Sequence, residues 1–449
     1  MKKLLDFSYQ HILVFGLAKS GTAAAKALLK HGRNVRVNDR DAKENDPNVQ
    51  ELIRMGAEVI VGSHPLSVLD HIELVVKNPG IPYDHPLIKE AEKRELPIIT
   101  EIELAYHLSA CPMIGITGSN GKTTTTMLIT EMLATSNQRV KIAGNIGTVA
   151  TDVALTTTRD EQMVVELSSF QLLGIRDFRP KIAVLLNIYE AHLDYHQTFL
   201  NYQQAKSNLF KNQTSDDYLI YNADQLLVSS IVEKAISKKI PFSIRQREID
   251  GTWVTEDAIY FKDEKIINRQ DIALVGNHNL ENIVAAITVA KLSGATNEAI
   301  RKVLQTFSGV KHRLQFVDTI NNRLFYNDSK ATNVLATEKA LASFKQPTIL
   351  LAGGLDRGNS FANLIPFLNH VKAMVVFGET AKKLEETAIQ AGIATVEYAK
   401  DVEDAVYIAY NLSKEDDVIL LSPACASWDQ YNTFEERGNM FIQAVHTLK

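Results

Sequence analysis

The chain has 449 residues and is short of cysteine, with only Cys111 and Cys425. Two cysteines cannot build a disulfide framework, which points to a reducing cytoplasm as the compartment. An excess of basic charge is also missing: the net charge is −5, from 48 Lys and Arg against 53 Asp and Glu. A protein whose main partner is nucleic acid favours a basic surface, so that class is set aside, while a local basic cleft is not. No stretch approaches the ~20 uninterrupted apolar residues that a membrane helix needs. The opening Met1-Lys2-Lys3-Leu4-Leu5 starts like a secretory signal, but Asp6, Gln10 and His11 break the apolar run that a signal requires. Short-period repeats and low-complexity tails are absent. The 45% hydrophobic and 22% charged composition is that of a globular protein, and the length suits about three domains.

Apolar bursts alternate with helical stretches along the whole chain. Residues 11–16 and 35–39 read as strands flanking an Ala/Leu-rich helix at 20–30, and bursts at 59–61, 74–76 and 98–99 continue the pattern. Cys111-Pro112 opens a fresh unit, with a strand at 113–117, a Gly-rich loop and a helix from about residue 122. Strands follow at 163–167 and 182–187, then a β-rich stretch at 252–254 and 259–261 and an Ala-rich helix from near 279. The polar, Gly-containing stretch 308–313 reads as a linker and candidate hinge. Beyond it, strands are expected at 323–327, 348–352, 373–377 and 418–421, and a last helix at about 432–448. Alternation of this kind implies α/β domains with largely parallel sheets. The expected limits are 1–110, 111–311 and 312–449.

The chemistry begins at Thr117-Gly118-Ser119-Asn120-Gly121-Lys122-Thr123-Thr124. A phosphate loop needs small residues so that backbone N–H groups can face phosphate oxygens, a lysine for the β/γ-phosphates and a hydroxyl for Mg²⁺. Gly118, Gly121, Lys122 and Thr123 supply these between a strand and a helix. The usual G-x-x-x-x-G-K-[ST] pattern fails, because Ile116 stands where its first Gly belongs. ATP is the expected nucleotide. Glu166, at the end of an apolar strand, is well placed to hold a hard cation, and His192 is a candidate second ligand. Strand-end carboxylates also cap helices, and a lone His is often structural, so the residues alone leave both roles open.

In the first domain, Gly16-Leu17-Ala18-Lys19-Ser20-Gly21 follows a strand and opens a helix. Measured against G-x-G-x-x-G, Ala18 replaces the middle Gly that lets a dinucleotide pyrophosphate approach the backbone. Asp39 ends the second strand, where a ribose-binding acid would sit. A nicotinamide enzyme is therefore a rival reading, against which stand Ala18 and the ATP loop downstream. A smaller nucleotide diphosphate at the same helix start fits at least as well.

The short phosphate loop resembles that of the Mur ligases and of folylpolyglutamate synthase, enzymes that join an amino acid to a carboxylate using ATP. Further segments match the Mur ligases in order: Gly144-Asn145-Ile146-Gly147, Glu166-Leu167-Ser168-Ser169-Phe170-Gln171, Asn187 with His192 and Asp194, Ala205-Lys206-Ser207-Asn208 and Gly276-Asn277-His278-Asn279-Leu280-Glu281-Asn282. His312-Arg313, Asp328-Ser329-Lys330-Ala331-Thr332-Asn333, Gly353-Gly354-Leu355-Asp356-Arg357-Gly358, Ser422-Pro423-Ala424-Cys425-Ala426-Ser427-Trp428-Asp429 and Arg437-Gly438 complete the series. An Arg or Lys at these last loops suits the gripping of carboxylates and a transferring phosphoryl group. No His is arranged to make Cys425 a nucleophile. Folylpolyglutamate synthase lacks the first domain. Gly16 with Ser20-Gly21, the Asn78-Pro79-Gly80-Ile81-Pro82 segment and the Ser-Pro-Ala-Cys-Ala-Ser loop resemble the D-glutamate-adding members of the family, with Asn78 in place of their usual Ser.

The resemblance implies a Rossmann-like first domain, a central P-loop ATPase-like domain with a parallel or mixed sheet, and a Rossmann-like C-terminal α/β domain. It implies a cytoplasmic, monomeric enzyme that attaches D-glutamate to UDP-N-acetylmuramoyl-L-alanine through an acyl phosphate. ATP would be held by Gly118, Ser119, Asn120, Gly121, Lys122, Thr123 and Thr124, with Asn279, Asn282, Arg313 and Asp328. Two Mg²⁺ ions would be held by Thr123, Glu166, His192 and Lys206, the last as a carbamate, since an ammonium cannot coordinate a metal. Leu17, Ala18, Lys19, Ser20, Asp39, Arg40, Asn78, Gly80, Asn145 and Ser168 would bind the UDP substrate. Lys330, Thr332, Arg357, Ser427, Trp428 and Phe434 would bind D-glutamate, and the third domain would have to close on the second.

Overall fold

The computed structural model describes Leu4, residues 7–274 and residues 276–448. The signal-like opening at residues 1–3, 5 and 6 lies outside the described residues. The first sheet contains β1 (His11–Phe15), β2 (Asn34–Asp39), β3 (Glu58–Val61), β4 (Leu74–Lys77) and β5 (Ile98–Ile99), all parallel, in the order β3-β2-β1-β4-β5. The near-continuous apolar runs of β1 and β4 follow from burial on both faces, as a parallel sheet covered by helices requires.

The second sheet contains β6 (Met113–Thr117), β7 (Arg139–Gly144), β8 (Glu161–Glu166), β9 (Ile182–Leu185), β10 (Tyr218–Asn222), β11 (Lys238–Phe242), β12 (Thr252–Val254), β13 (Ala258–Phe261) and β14 (Glu264–Asn268). Its order is β14-β13-β12-β11-β10-β9-β6-β8-β7, parallel except for the antiparallel β12-β13-β14 edge. The chain visits β7 and β8 on one side of β6 and then crosses to β9 on the other. The loop after β6 therefore opens at a topological switch point, where such sheets bind ligands. Strand β9 stops two residues short of the expected 187. Leu186 N–H donates to the Thr117 carbonyl (3.0 Å) and the chain turns, bringing Asn187 onto the phosphate loop.

The third sheet contains β15 (Gln315–Ile320), β16 (Arg323–Asn327), β17 (Thr348–Gly353), β18 (Val371–Phe377), β19 (Thr395–Tyr398) and β20 (Val418–Leu421), in the order β15-β16-β20-β17-β18-β19. Only the β15-β16 hairpin is antiparallel. The last helix is Phe434–His446, shorter than the expected 432–448, because the Thr433 hydroxyl accepts the Glu436 N–H at 3.1 Å and fixes the start.

The chain forms two compact units, Met1–Thr306 and Phe307–Lys449. In the first, one apolar core runs from Ile12, Val14 and Leu28 through Ile102 and Leu104 to Met163 and Leu185, so the first two sheets are packed together. The helix Glu101–Leu108 joins them. The Glu101 carboxylate accepts the Thr151 N–H, and Glu103 accepts the N–H groups of Arg176, Asp177 and Phe178. In the second unit, separate cores fill the two faces of its sheet.

Candidate active site

The phosphate loop is held from below by side chains of its own sheet. Gly121 takes φ +81°, and a Cβ there would lie 2.0 Å from the Asn282 Oδ1, so only glycine makes the turn. Asn187 Oδ1 accepts the Asn120 N–H (2.9 Å), and the Asn187 carbonyl accepts the Ser119 N–H (2.9 Å). The Ser119 hydroxyl donates to the Tyr189 carbonyl (3.0 Å) and lies 2.9 Å from the Tyr202 hydroxyl. Lys122, first residue of the helix Lys122–Thr135, folds back to donate to the carbonyls of Gly118 (2.9 Å) and Ser119 (3.2 Å). Thr124, also in the first turn, is buried.

Beside the loop, the Thr123 hydroxyl donates to Glu166 Oε2 at 2.7 Å, and the Asn145 amide donates to Glu166 Oε1 at 2.9 Å. Glu166 ends β8 and is 1% exposed. Lys206 is also buried, and its Nζ donates to the Gly118 carbonyl (2.8 Å) and the Thr117 hydroxyl (3.5 Å). Burial, and then the nearby Lys122 charge, drive the Lys206 amine well below the ordinary lysine range, with Glu166 opposing. His192 takes a left-handed conformation (φ 56°) and packs edge-on to Phe170; partial burial, then Lys206 and Lys122, hold its imidazole below the usual value. The oxygen donors here are hard ligands of the kind Mg²⁺ takes. Among the described residues, a tight His and carboxylate group lies elsewhere. Glu103, His107 and Asp177 bring ligand atoms within 4.8 Å beside a cavity of about 590 Å³. That cavity is at the opposite end of the strands, where β6 begins, and Glu103 is already committed to three backbone N–H groups.

Asn282 and Asn279 are buried and bonded to each other, with the Thr125 hydroxyl donating to Asn282 Oδ1 (3.4 Å). In this arrangement Asn282 buttresses the turn at Gly121. Ser168 caps the helix Ser169–Leu172 in a capping box with Gln171, which uses its hydroxyl.

In the first sheet, Gly16 takes φ +94°, and a Cβ on Gly21 would lie 1.9 Å from the Gly16 carbonyl oxygen. The helix Lys19–Lys30 starts without a side-chain cap, at Ala18, which leaves first-turn N–H groups available to an anion. Asp39 Oδ2 accepts the Leu17 N–H (2.6 Å), while its Oδ1 accepts the N–H groups of Asp41 and Ala42. Asp39 therefore shapes the loop that leads into this helix. Arg40 is exposed and paired with Asp41, and the Asn78 amide donates to the Ser20 hydroxyl (3.4 Å). Asn78 Oδ1 accepts the Gly80 N–H (3.0 Å).

In the second unit, Lys330 Nζ lies 5.3 Å from the centre of the Phe434 ring, and the exposed Arg357 guanidinium 4.8 Å from that of Trp428. Thr332 is half-buried nearby in sequence. Ser427 Oγ is buried with no hydrogen-bond partner among the described residues, an orphan donor that a substrate carboxylate would satisfy. Asp328 accepts from the Ser422 hydroxyl (2.9 Å) and the Leu314 N–H (3.1 Å), and burial pushes its carboxyl up to about 7, with these two hydrogen bonds and then Arg313 opposing. Arg437 corrects the sequence reading. It is fully buried and donates to the Ser329 hydroxyl and to the carbonyls of Ser329, Gly353 and Cys425, so it clamps three loops together instead of gripping an anion. Cys425 is buried, and burial pushes its thiol up to about 11, which removes it as a nucleophile.

Sequence reasoning missed the supporting residues. Asn187 was named among the matching segments, at the end of the expected strand 182–187, but nothing local says that it holds the phosphate loop. Tyr202 and Lys77 carry no motif.

Three family models match the chain: the Mur ligase MurD-like N-terminal domain over residues 10–100, the Mur ligase middle domain over 116–290, and the Mur ligase glutamate ligase domain over 312–425. The chain is 61% identical to the UDP-N-acetylmuramoylalanine–D-glutamate ligase of Oceanobacillus iheyensis, and 56% identical to that of Geobacillus sp. strain WCH70, over 100% of both chains in each case. Its fold matches the UDP-N-acetylmuramate-alanine ligase MurC of Thermotoga maritima, with TM-score 0.59 and 17% identity over 98% of this chain and 100% of that one. It also matches the MurF ligase of Thermotoga maritima in complex with ADP, with TM-score 0.58 and 18% identity over 100% of both chains. The chain belongs to the Mur ligase family.

Proposed function

We propose that this chain uses ATP to join D-glutamate to UDP-N-acetylmuramoyl-L-alanine, as a cytoplasmic enzyme that works as a monomer. One observation carries the choice of substrates: relatives bearing that activity in their name are 61% and 56% identical over the full length of both chains. The site geometry supports the reaction class. A terminal alanine carboxylate oxygen attacks the γ-phosphorus of ATP in line, the bond to the β–γ bridging oxygen breaks, and ADP leaves. The D-glutamate amine then attacks the acyl phosphate carbonyl, phosphate departs, and the nitrogen loses a proton to leave an amide. Lys122, unfolding from the Gly118 and Ser119 carbonyls, follows the γ-phosphate, while residues 118–124 line the triphosphate through the N–H groups that Asn187 does not hold.

Thr123, Glu166, His192 and Lys206 would hold two Mg²⁺ ions, whose charge reduces the repulsion between a carboxylate and a triphosphate. Lys206 serves as a carbamate. A buried amine held neutral adds CO₂ and releases a proton, which turns a would-be cation into a carboxylate ligand beside Glu166. Asn279, Asn282, Arg313 and Asp328 complete the ATP site. Leu17, Ala18, Lys19, Ser20, Asp39, Arg40, Asn78, Gly80, Asn145 and Ser168 hold the UDP substrate. Lys330, Thr332, Arg357, Ser427, Trp428 and Phe434 receive D-glutamate. The domain limits are set at 110/111 and 311/312.

The test is phosphate release with ATP, UDP-N-acetylmuramoyl-L-alanine and each candidate amino acid in turn, with the product weighed by mass spectrometry. Release should require both the acceptor and D-glutamate. Release without the amino acid, or driven best by another one, would overturn the reading.

A further inference from the structure

Residues 77–82 read Lys-Asn-Pro-Gly-Ile-Pro. The peptide nitrogens of Pro79 and Pro82 carry no hydrogen, which limits how far this loop can be held by its own backbone hydrogen bonds. Lys77, the last residue of β4, lies beneath the loop and is 1% exposed. Its Nζ donates to the carbonyls of Asn78 (3.2 Å), Pro79 (3.3 Å) and Ile81 (2.6 Å), and to the Tyr195 hydroxyl (3.2 Å). That hydroxyl donates in turn toward the Pro79 (3.0 Å) and Ile81 (2.9 Å) carbonyls. The Tyr83 ring centre lies 4.6 Å from Nζ. None of the hydrogen bonds described for this amine goes to a carboxylate, and burial pushes it down to about 7. Burying a cation is costly unless its donors are used, and here they are used on the loop.

Tyr195 leads to the other side of the site. It sits in the single helical turn Leu193–His196, between left-handed residues His192 (φ 56°) and Gln197 (φ 66°). Phe170 packs against His192, Tyr195 and His196 with ring centres 5.1, 4.6 and 5.3 Å away, and the Ser169 hydroxyl lies 2.9 Å from His196 Nε2. A side-chain bond across 118 residues of sequence thus ties the Asn78-Pro79-Gly80 loop to the turn that begins at His192.

We infer that Lys77 is a positioning residue for the acceptor. It sets the shape of the loop that receives the nucleotide end of that substrate, and through Tyr195 it holds the loop in register with His192. The inference rests on the acceptor assignment proposed above. A residue that only stabilised the fold would alter stability, or all substrates together. A positioning residue alters the acceptor selectively.

The experiment uses full-length wild type, Lys77→Met, Tyr195→Phe and the double variant, with KM measured separately for acceptor, ATP and D-glutamate. Loss of this hydrogen-bond hub should raise the acceptor KM in Lys77→Met by about tenfold or more, with the other two KM values within about twofold. Tyr195→Phe keeps the ammonium–carbonyl bonds and cuts the tie. It should raise the acceptor KM by about threefold and lower kcat, and the double variant should be no worse than Lys77→Met, because both act through the same carbonyls. Backbone hydrogen exchange should rise in peptides covering residues 78–82 and 193–197 in both single variants. An unchanged acceptor KM in folded Lys77→Met, or a parallel rise in all three KM values, would overturn the role. Should Lys77→Met fail to fold, unchanged kinetics in Tyr195→Phe would overturn it. If wild type gives no turnover with this acceptor, the acceptor assignment fails and this role falls with it; turnover by wild type isolates Lys77 as the object of the test.

Discussion

The Thr123 hydroxyl donates to Glu166 Oε2 at 2.7 Å, joining the first turn after the phosphate loop to the end of the neighbouring strand β8. The two residues are 43 positions apart in sequence, and both are buried. A hydroxyl and a carboxylate so placed can share one cation. Thr123→Val keeps the shape and removes the hydroxyl, and should lower kcat by about 100-fold or more with little change in melting temperature. Glu166→Gln should do the same, and the double variant should lose no more than the worse single one. Additive losses in the double variant would mean that the two do not act together.

Lys206→Ala should abolish turnover, and short-chain carboxylates should restore part of it by supplying the missing oxygen ligand. Steady-state rates with and without added acetate or formate make the measurement. Full activity of the variant without additives would remove the carbamate from the mechanism.

Asp39→Ala releases the Leu17 N–H that Asp39 holds at 2.6 Å. Hydrogen bonds to charged groups contribute about 1.5–3 kcal/mol, so the KM for the UDP substrate should rise by roughly 10- to 100-fold. The KM for ATP should stay within about twofold. Equal losses for both substrates would argue against the assignment of the first sheet to the UDP substrate.

Glu101 carries a pH dependence of stability. Burial pushes its carboxyl up from 4.5 to about 7; the hydrogen bonds from Thr151 oppose this, and Asp152 adds to it. With the folded value raised, the folded state binds more protons than the unfolded one between those two values. Stability from this group is therefore full below 4.5 and is lost as pH rises through about 7. Glu101→Gln keeps an acceptor for the Thr151 N–H and cannot ionise. The loss of unfolding free energy over that window should be smaller in the variant than in wild type, by about 3 kcal/mol. Parallel curves would show that the Glu101 carboxyl is not raised in the folded protein.

Much of the site was legible because its requirements are local. A loop that presents N–H groups to phosphate needs Gly118 and Gly121 at fixed spacing, with Lys122 and Thr123 after them. Such demands are met within eight residues of an apolar strand. The strands themselves were readable as apolar runs where both faces are covered, as in β6 and β20. Strands β7, β10, β11, β14, β15 and β19 were missed; Lys, Asp, Glu, Pro and Thr interrupt all of these runs except the short, Tyr-containing β10. In β11, Pro241 pairs with Tyr221 on one side, while the pairing with β12 is confined to Phe242 and Thr252.

The sequence by itself determined which chemical groups the protein owns and the order in which they come: a phosphate loop, a strand-end carboxylate, a lysine on a helix, and basic residues in the last unit. The tertiary structure decided what each group does with its hydrogen bonds. Lys206 reaches the Gly118 carbonyl across 88 residues, Arg437 turns inward onto three loops, and Lys77 spends its donors on a loop and a distant tyrosine. The physical reason is that a charged side chain has the same donors wherever it stands. Burial and the carbonyls brought within reach by packing separate a cation that grips a substrate from one that holds the protein in shape.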